Sequence, residues 1–184
     1  MKNAFKICFS VLRYLGLSVC VFVIVFNLYS FAAGKLFGMQ MPSIFGFSYA
    51  VVTTGSMEPE IKAGEFVLAH KQNEYKAGDV CSYKGVSIPV THRVMEVTRD
   101  NDGKITHYIT AGDANFNEKN ELVYDGEISA DRFIGKIIFH SRWIGDAIGF
   151  IRTPYGTVLI ILFGAGIYFV SQFLNDRKTN GGYF

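Results

Sequence analysis

Two long apolar runs constrain this chain more than any other feature of its sequence. The first run covers residues 14–33 and contains no charged side chain. A helix of about 20 residues, rising about 1.5 Å per residue, crosses a hydrocarbon core of about 30 Å. The second run, residues 155–174, has the same length and is also uncharged. The sequence therefore predicts two transmembrane helices, at residues 14–33 and 155–174.

The composition agrees with a chain that lies partly in lipid. Charged residues make up 18% of the chain, against about 25% in a typical soluble domain. The alternative for the first run is a cleaved signal peptide, because Lys2 and Lys6 precede it and residues 30–32 resemble a cleavage site. The run is longer than the ~7–15 apolar residues usual in such peptides, which favours a retained helix.

Basic residues at the chain ends predict the orientation in the membrane. Five of them flank the outer ends of the two runs: Lys2, Lys6, Arg13, Arg177 and Lys178. Because cytoplasmic flanks are enriched in Lys and Arg, we expect residues 1–13 and 175–184 in the cytoplasm. Residues 34–152 then form an extracytoplasmic domain. Three basic residues on the proposed outer side of the two runs do not fit this orientation: Lys35, Arg142 and Arg152.

The segment between the two runs has the pattern of a mostly β domain. Short stretches of β-branched and aromatic residues alternate with Gly, Asn and Asp turns. The predicted strands are residues 48–54, 65–70, 79–83, 87–99, 104–110, 127–130 and 132–141. Residues 100–103 predict a hairpin turn. The predicted fold class is therefore mostly β, with one domain anchored by two transmembrane helices.

Cysteine content and charge argue against several classes of function. The chain has three cysteines, Cys8, Cys20 and Cys81, so the predicted outer domain holds one thiol and no internal disulfide. No metal-binding spacing is present, and we expect neither a metal nor an organic cofactor. The net charge of +2, without a basic block, predicts no nucleic-acid partner.

Three polar sites of the β domain together fit serine-protease chemistry. Ser56 follows Gly55 at the end of a predicted strand, and its N–H with the Thr54 hydroxyl could form an oxyanion hole. His92 shares the apolar face of its strand, which predicts a partly buried, neutral imidazole able to act as a base. Asp113, in a predicted Gly-Asp turn, could orient that base. Each alone fits an ordinary structural role, but together they supply nucleophile, base and acid.

Four segments carry a family resemblance: residues 54–59, 88–94, 110–115 and 133–136. They resemble, in order, the serine box, the segment of the general base, the Gly-Asp-Asn box and the segment before the carboxyl-terminal helix of type I signal peptidases. The bacterial housekeeping branch carries lysine at the position of His92, so the chain is most similar to the endoplasmic-reticulum type of eukaryotes, archaea and spore-forming Gram-positive bacteria. The resemblance implies a signal-peptidase-like β domain and a serine endopeptidase that cuts Ala-x-Ala sites.

The third catalytic member is open at this point. Members of the family commonly carry a further aspartate about six positions after the Gly-Asp, where this chain has Lys119. Asp113 is favoured as the residue that orients His92, and Glu118 is the alternative acid. The third option is a dyad of Ser56 and His92.

The resemblance also implies the partners and the location. Preprotein signal peptides and membrane lipid are the expected partners, with the catalytic domain on the outer face of the cell membrane; further membrane subunits are left open. One alternative is a Ser-Lys peptidase with Lys71, Lys76 or Lys84 as base, although none of these shares a strand face with apolar residues. Another is a non-catalytic, membrane-anchored β module that assembles surface proteins.

Overall fold

The computed structural model describes residues 2–179 of the chain. Met1 and residues 180–184, which end the predicted cytoplasmic tail, lie outside the described residues, as do the side chains of residues 2–9, 12, 171 and 173–179. The chain divides into two compact units. One contains the residues up to Phe31 and those from Gly149 onward, and the other is Ala32–Ile148.

Three α-helices are present in the described part of the chain: α1 (Lys2–Lys35), α2 (Arg142–Arg152) and α3 (Pro154–Thr179). Within α1, Arg13–Lys35 has a mean hydropathy of 2.1 and is long and apolar enough to cross a membrane by itself. α3 meets that test only together with α2, and this pair is bent by 85°. One apolar amino-terminal helix is therefore supported, while the anchor of two transmembrane helices stays a prediction.

Nine antiparallel strands form one sheet in the described residues, which confirms the mostly β prediction. Their bounds are β1 (Ser43–Ile44), β2 (Phe47–Val51), β3 (Phe66–His70), β4 (Val80–Lys84), β5 (Pro89–Arg99), β6 (Ile105–Phe116), β7 (Leu122–Tyr124), β8 (Ile128–Ser129) and β9 (Phe133–Ser141). The order across the sheet is β1-β2-β3-β9-β4-β5-β6-β7, and β8 pairs with β6. A 3₁₀ turn, Ala130–Arg132, joins β8 to β9.

Two predicted strand boundaries near the polar sites are wrong. The strand predicted over 48–54 ends at Val51, so Ser56 lies in a loop beyond it. The strand predicted over 104–110 continues to Phe116 and includes the Gly112-Asp113 pair that was predicted to turn. Pairing of β6 with β7 keeps this segment extended, and β7 itself is too short to show an alternating pattern.

Two clusters of buried side chains build the core of the β unit. In the first, the rings of Tyr75, Tyr83 and Tyr108 lie 4.5–5.8 Å from one another or from Phe133, beside Val94 of β5. The second cluster lies on the β2–β3–β9 side of the sheet, and its members are Met41, Met57, Ile61, Val67, Ala69 and Val80. Met57 and Ile61 belong to the loop after Ser56. Each such side chain contributes roughly 1.5–3 kcal/mol on burial, so the serine loop is firmly held on the sheet.

Candidate active site

Contacts with β6 fix the backbone of the Ser56 loop. The carbonyl oxygen of Ser56 accepts a hydrogen bond from the N–H of Ala114, at 2.9 Å. The N–H of Glu58 donates to the Gly55 oxygen at 3.0 Å and closes the turn. Because Met57 is buried directly after the serine, the chain is held on both sides of a half-buried Ser56.

Gly112 allows this close approach of the loop to β6. A Cβ atom at Gly112 would lie 2.7 Å from the Ser56 carbonyl oxygen, a separation that ordinary side-chain carbons do not adopt. A glycine is thus required where the serine backbone crosses the strand. The Gly-Asp pattern therefore contributes to the site through its glycine, and it does so from within a strand.

Thr54 brings a second hydroxyl beside the serine. Thr54 Oγ1 lies 3.4 Å from Ser56 Oγ, and in the described part of the chain this is the hydrogen-bond partner of that oxygen. A separation of 3.4 Å makes a weak bond, which leaves the serine hydroxyl available for another partner. The expected oxyanion hole of Thr54 Oγ1 and the Ser56 N–H is compatible with this arrangement and stays a prediction.

His92 is buried on β5, as its strand pattern predicts, with 6% of its surface exposed. Its Nδ1 lies 2.6 Å from Oδ2 of Asp125, and its ring meets the Tyr83 ring edge-on at 6.4 Å between centroids. An ionised carboxylate only accepts hydrogen bonds, so Nδ1 carries the proton and donates it to Asp125. In the neutral imidazole this tautomer leaves the other ring nitrogen, Nε2, without a proton, as a general base requires.

Three donors hold the Asp125 carboxylate in place. Besides His92, the hydroxyl groups of Thr110 and Tyr83 donate to Oδ2, at 2.5 and 3.0 Å. Burial opposes ionisation of Asp125, but the hydrogen bonds from His92, Thr110 and Tyr83 outweigh it and lower the pKa of the carboxyl group. Burial, with a contribution from the Asp125 charge, raises the pKa of Tyr83 to about 12, so its hydroxyl remains a donor.

Asp125 was not among the predicted site residues. It lies twelve positions after Asp113, against about six for the acid of the family, because the β6–β7 hairpin and its loop at 117–121 intervene. The N–H of Asp125 donates to the Thr110 oxygen at 2.7 Å. This backbone contact fixes Asp125 where its carboxylate reaches His92. In the sequence, Asp125 directly follows the apolar residues 122–124. Because Gly126 comes next, this Asp-Gly pair is typical of an ordinary turn.

The structure places Asp113, the favoured acid, against Arg93 and not against His92. Arg93 donates through Nε and Nη2 to the two oxygens of Asp113, at 2.9 and 2.6 Å, and Nη2 also contacts Oε2 of Glu60 at 2.6 Å. The hydrogen bond with Asp113 is the main cause that raises the pKa of Arg93. Successive residues of a strand point to opposite faces, so Arg93 turns this acid away from His92. Arg93 thereby ties β6 to the loop after the serine.

The other predicted alternatives are exposed and do not join this pair by a hydrogen bond in the described residues. Glu118 is exposed in the loop between β6 and β7, and no hydrogen bond joins it to His92 in the described residues. The three lysines proposed as alternative bases, Lys71, Lys76 and Lys84, are also exposed. Within residues 2–179, no group of three or more His, Cys, Asp or Glu side chains could hold a metal ion.

We expect Asp113→Asn to affect stability more than catalysis. The substitution removes a charge-assisted pair with Arg93, which should lower the free energy of unfolding by about 1–3 kcal/mol in urea titrations. Glu60→Gln is the matched control, because Glu60 is half exposed and its loss should cost no more than about 0.5 kcal/mol. A drop of about 10³-fold in cleavage rate with unchanged stability would instead assign Asp113 to the catalytic machinery.

Comparisons with known proteins find relatives that are named as signal peptidases. Signal peptidase I W of Bacillus subtilis (strain 168) is 31% identical over 93 residues, 48% of this chain and 48% of the relative. The signal peptidase complex catalytic subunit SEC11 of Fusarium vanettenii is 31% identical over 102 residues, 52% of this chain and 58% of the relative. The human subunit SEC11C is 32% identical over 117 residues, 61% of this chain and 55% of the relative.

The chain thus spans about half the length of the curated relatives it matches. No protein-family model matches it. The similarities nevertheless identify the chain as a relative of the type I signal peptidases, which confirms the resemblance read from the sequence.

Proposed function

We propose that the protein is a membrane-bound serine endopeptidase that removes signal peptides from exported preproteins after small residues. The observation that carries this proposal is the hydrogen bond between buried His92 and partly buried Asp125, which leaves Nε2 of the neutral imidazole available as a base. The serine loop held against β6 and the similarity to signal peptidases support it. A Ser-Lys mechanism is less well supported, because the three candidate lysines are exposed.

In the proposed mechanism, Nε2 of His92 takes the proton of Ser56 Oγ as that oxygen attacks the scissile carbonyl carbon. The Ser56 N–H and the Thr54 hydroxyl stabilise the oxyanion, and Asp125 stabilises the imidazolium. The imidazolium then protonates the leaving amine, which breaks the peptide bond and leaves an acyl-enzyme. Water, deprotonated by His92, hydrolyses the ester and restores Ser56.

The substrate is proposed to bind in extended form as an added strand of the β unit. Relatives are named signal peptidases and catalytic subunits of a signal peptidase complex, so exported preproteins are the substrates proposed here. Shallow pockets would accept small side chains at the first and third positions before the cut. Further membrane subunits are compatible with this proposal, since relatives carry out their role within a complex.

Cleavage of a model preprotein tests the function directly. The full chain in lipid nanodiscs should cut a preprotein with an Ala-x-Ala site once, directly after the second alanine, as measured by the masses of the two products. A matched preprotein with tryptophan at the −1 position should resist cleavage, because a bulky side chain does not fit a pocket for alanine. Failure to cut either preprotein would favour the non-catalytic module, and equal cutting of both would contradict the proposed specificity.

The anchor is proposed to consist of α1 and α3, with residues 34–152 on the extracytoplasmic side. α3 contains the second apolar run, and aromatic side chains expected near a membrane interface are exposed next to it. Trp143 is 88% exposed and Tyr155 is 81% exposed, as expected of aromatic side chains at a membrane interface. The basic residues at the two chain ends support an orientation with both ends in the cytoplasm, because cytoplasmic flanks are enriched in Lys and Arg.

Cysteine labelling should distinguish this topology. Lys104→Cys should react with a membrane-impermeant maleimide on intact cells, whereas Lys178→Cys should react only after the cells are opened. Cys81 will stay silent, since it is fully buried and burial raises its pKa to about 12. Cys8 and Cys20 are replaced by serine for this assay. Reaction of both reporters on intact cells would show that α3 does not span, and a reversed pattern would overturn the orientation.

A further inference from the structure

A cleft between α1 and α3 lies in the helical unit, and the proposed peptidase mechanism does not use it. It has a volume of about 600 Å³ and lies wholly within that unit. Small-molecule sites in proteins have volumes of roughly 300–1,000 Å³, so the cleft is large enough for a ligand. Half of its twelve lining residues are large aliphatic ones: Val23, Ile24, Leu28, Ile151, Ile160 and Ile161.

Small side chains on α3 account for the space. Gly164 faces α1 closely, because a Cβ atom there would lie 3.2 Å from Sγ of Cys20. About one turn earlier on α1, a Cβ atom on Gly16 would lie 2.9 Å from the side chain of Ile167. The helices therefore pack at short range through glycine, as membrane helices commonly do, while Gly164 and Ala165 are too small to fill the cleft.

The cleft is polar at one end only. The contacts of Cys20 with Gly164 and of Gly16 with Ile167 show that α1 and α3 run antiparallel. Later residues of α1 are thus level with earlier residues of α3. The polar lining residues, Asn27, Arg152 and Thr157, consequently share one end of the cleft, and the other end is apolar.

At the polar end, Arg152 is the group available to a ligand. The Asn27 amide donates to the Val23 oxygen at 2.8 Å, and the Thr157 hydroxyl donates to the Ile151 oxygen at 3.0 Å. Arg152 is exposed, and no described residue accepts a hydrogen bond from it or pairs with it. Its position is also unusual, since the proposed topology puts this arginine on the extracytoplasmic flank, where basic residues are not enriched.

We propose that this cleft binds one anionic phospholipid, with an acyl chain along the aliphatic lining and the phosphate on Arg152. The proposal rests on the membrane placement of α1 and α3 given above. A guanidinium group binds phosphate through two parallel hydrogen bonds, and its charge favours a headgroup with net negative charge. An amphipathic cleft with one cation at its end matches a lipid better than an uncharged apolar peptide, which would leave Arg152 without a partner.

Lipid binding to the purified full chain tests this site without using catalysis. Native mass spectrometry in neutral detergent would compare phosphatidylglycerol with phosphatidylcholine, in the Ser56→Ala variant as well as the wild type. We expect one phosphatidylglycerol to bind about tenfold more tightly than phosphatidylcholine, a difference of the size that one charge-assisted contact gives. Because binding needs no cleavage, a protein without peptidase activity can still show this preference.

Two variants in the cleft and one control outside it locate the site. Arg152→Gln should reduce the preference for phosphatidylglycerol to within about twofold, while Lys35→Gln, an exposed cation outside the cleft, should leave it unchanged. Ala165→Leu should weaken the binding of both lipids, because it adds side-chain volume at the lining of the cleft. Equal binding of the two lipids, or an unchanged preference in Arg152→Gln, would overturn the proposal.

The same measurement distinguishes other occupants. Displacement of the lipid by millimolar inorganic phosphate would indicate a site for free anions and overturn the lipid assignment. An apolar signal-sequence peptide that binds Arg152→Gln as tightly as the wild type, and displaces both lipids, would assign the cleft to substrate. No displacement by either probe is the expected result.

Discussion

Ser56→Ala and His92→Ala should each lower the single-turnover rate of preprotein cleavage by about 10⁴–10⁶-fold, with the fold retained. The first substitution removes the attacking oxygen, and the second removes the base that takes its proton. Because nucleophile and base act as one unit, the double variant should be no slower than either single variant. Independent contributions would instead multiply, so the double variant separates joint action from two unrelated defects.

The identity of the base gives this prediction a control and a distinct pH dependence. Lys76→Ala and Lys84→Ala, which remove exposed alternative bases, should leave the rate within about twofold. The general base must be unprotonated for turnover, so the rate should depend on pH. His92→Lys should retain partial activity with its acid limb at higher pH, because lysine titrates near 10.4 in model peptides. Full activity in His92→Ala would contradict the assignment.

The strands and the buried position of His92 could be predicted because both depend on local pattern. Alternation of apolar residues placed His92 on the buried face of β5, and the structure agrees. The hairpin at residues 100–103 follows from turn chemistry, and Asp100 does accept hydrogen bonds from the N–H groups of Asp102 and Lys104. Local sequence thus determines these features, and no distant contact is needed to explain them.

The acid beside His92 depends on sheet register, which local pattern does not determine. Arg93 pairs with Ala111 across β5 and β6, and Ala111 in turn pairs with Tyr124 of β7. Asp125 follows directly and reaches His92, whereas Asp113 lies two residues beyond Ala111 and meets Arg93. The pairing of β7 with β6 therefore decides that Asp125, and not Asp113, lies beside His92. A strand of three residues is too short to show an alternating apolar pattern in the sequence.

The position of the Ser56 loop also depends on contacts that local sequence does not determine. Alternation extended the predicted strand to Thr54, but the chain leaves the sheet after Val51. What holds the serine is the hydrogen bond from Ala114 and the absence of a side chain at Gly112, both about 60 residues away in sequence. The Gly-Asp pattern was therefore visible, but its contact with the serine loop was not.

Asp125→Asn should lower the cleavage rate by about 10³–10⁴-fold, the loss expected when a triad aspartate becomes an amide. The neutral side chain cannot stabilise the imidazolium. Its NH₂ group also competes to donate to Nδ1 of His92, which would leave the proton on Nε2 and block that base. Because His92, Thr110 and Tyr83 all reach the same position, Oδ2, an NH₂ group there also faces the two hydroxyl groups. These can turn and accept hydrogen bonds from it, so the fold should be retained. Glu118→Gln, an exposed acid in the neighbouring loop, should leave the rate within about twofold.

Stability against pH provides a second measurement on Asp125 that is independent of activity. Its folded-state pKa lies below the ordinary aspartate value of about 3.9, so its ionised form stabilises the fold above that value. This contribution is lost as the pH falls through the folded pKa, when the carboxylate is protonated. Urea titrations should therefore show a smaller acid-dependent loss of unfolding free energy in Asp125→Asn than in the wild type. A fast Asp125→Asn enzyme beside a slow Glu118→Gln enzyme would reverse the assignment, and two fast enzymes would leave a dyad of Ser56 and His92.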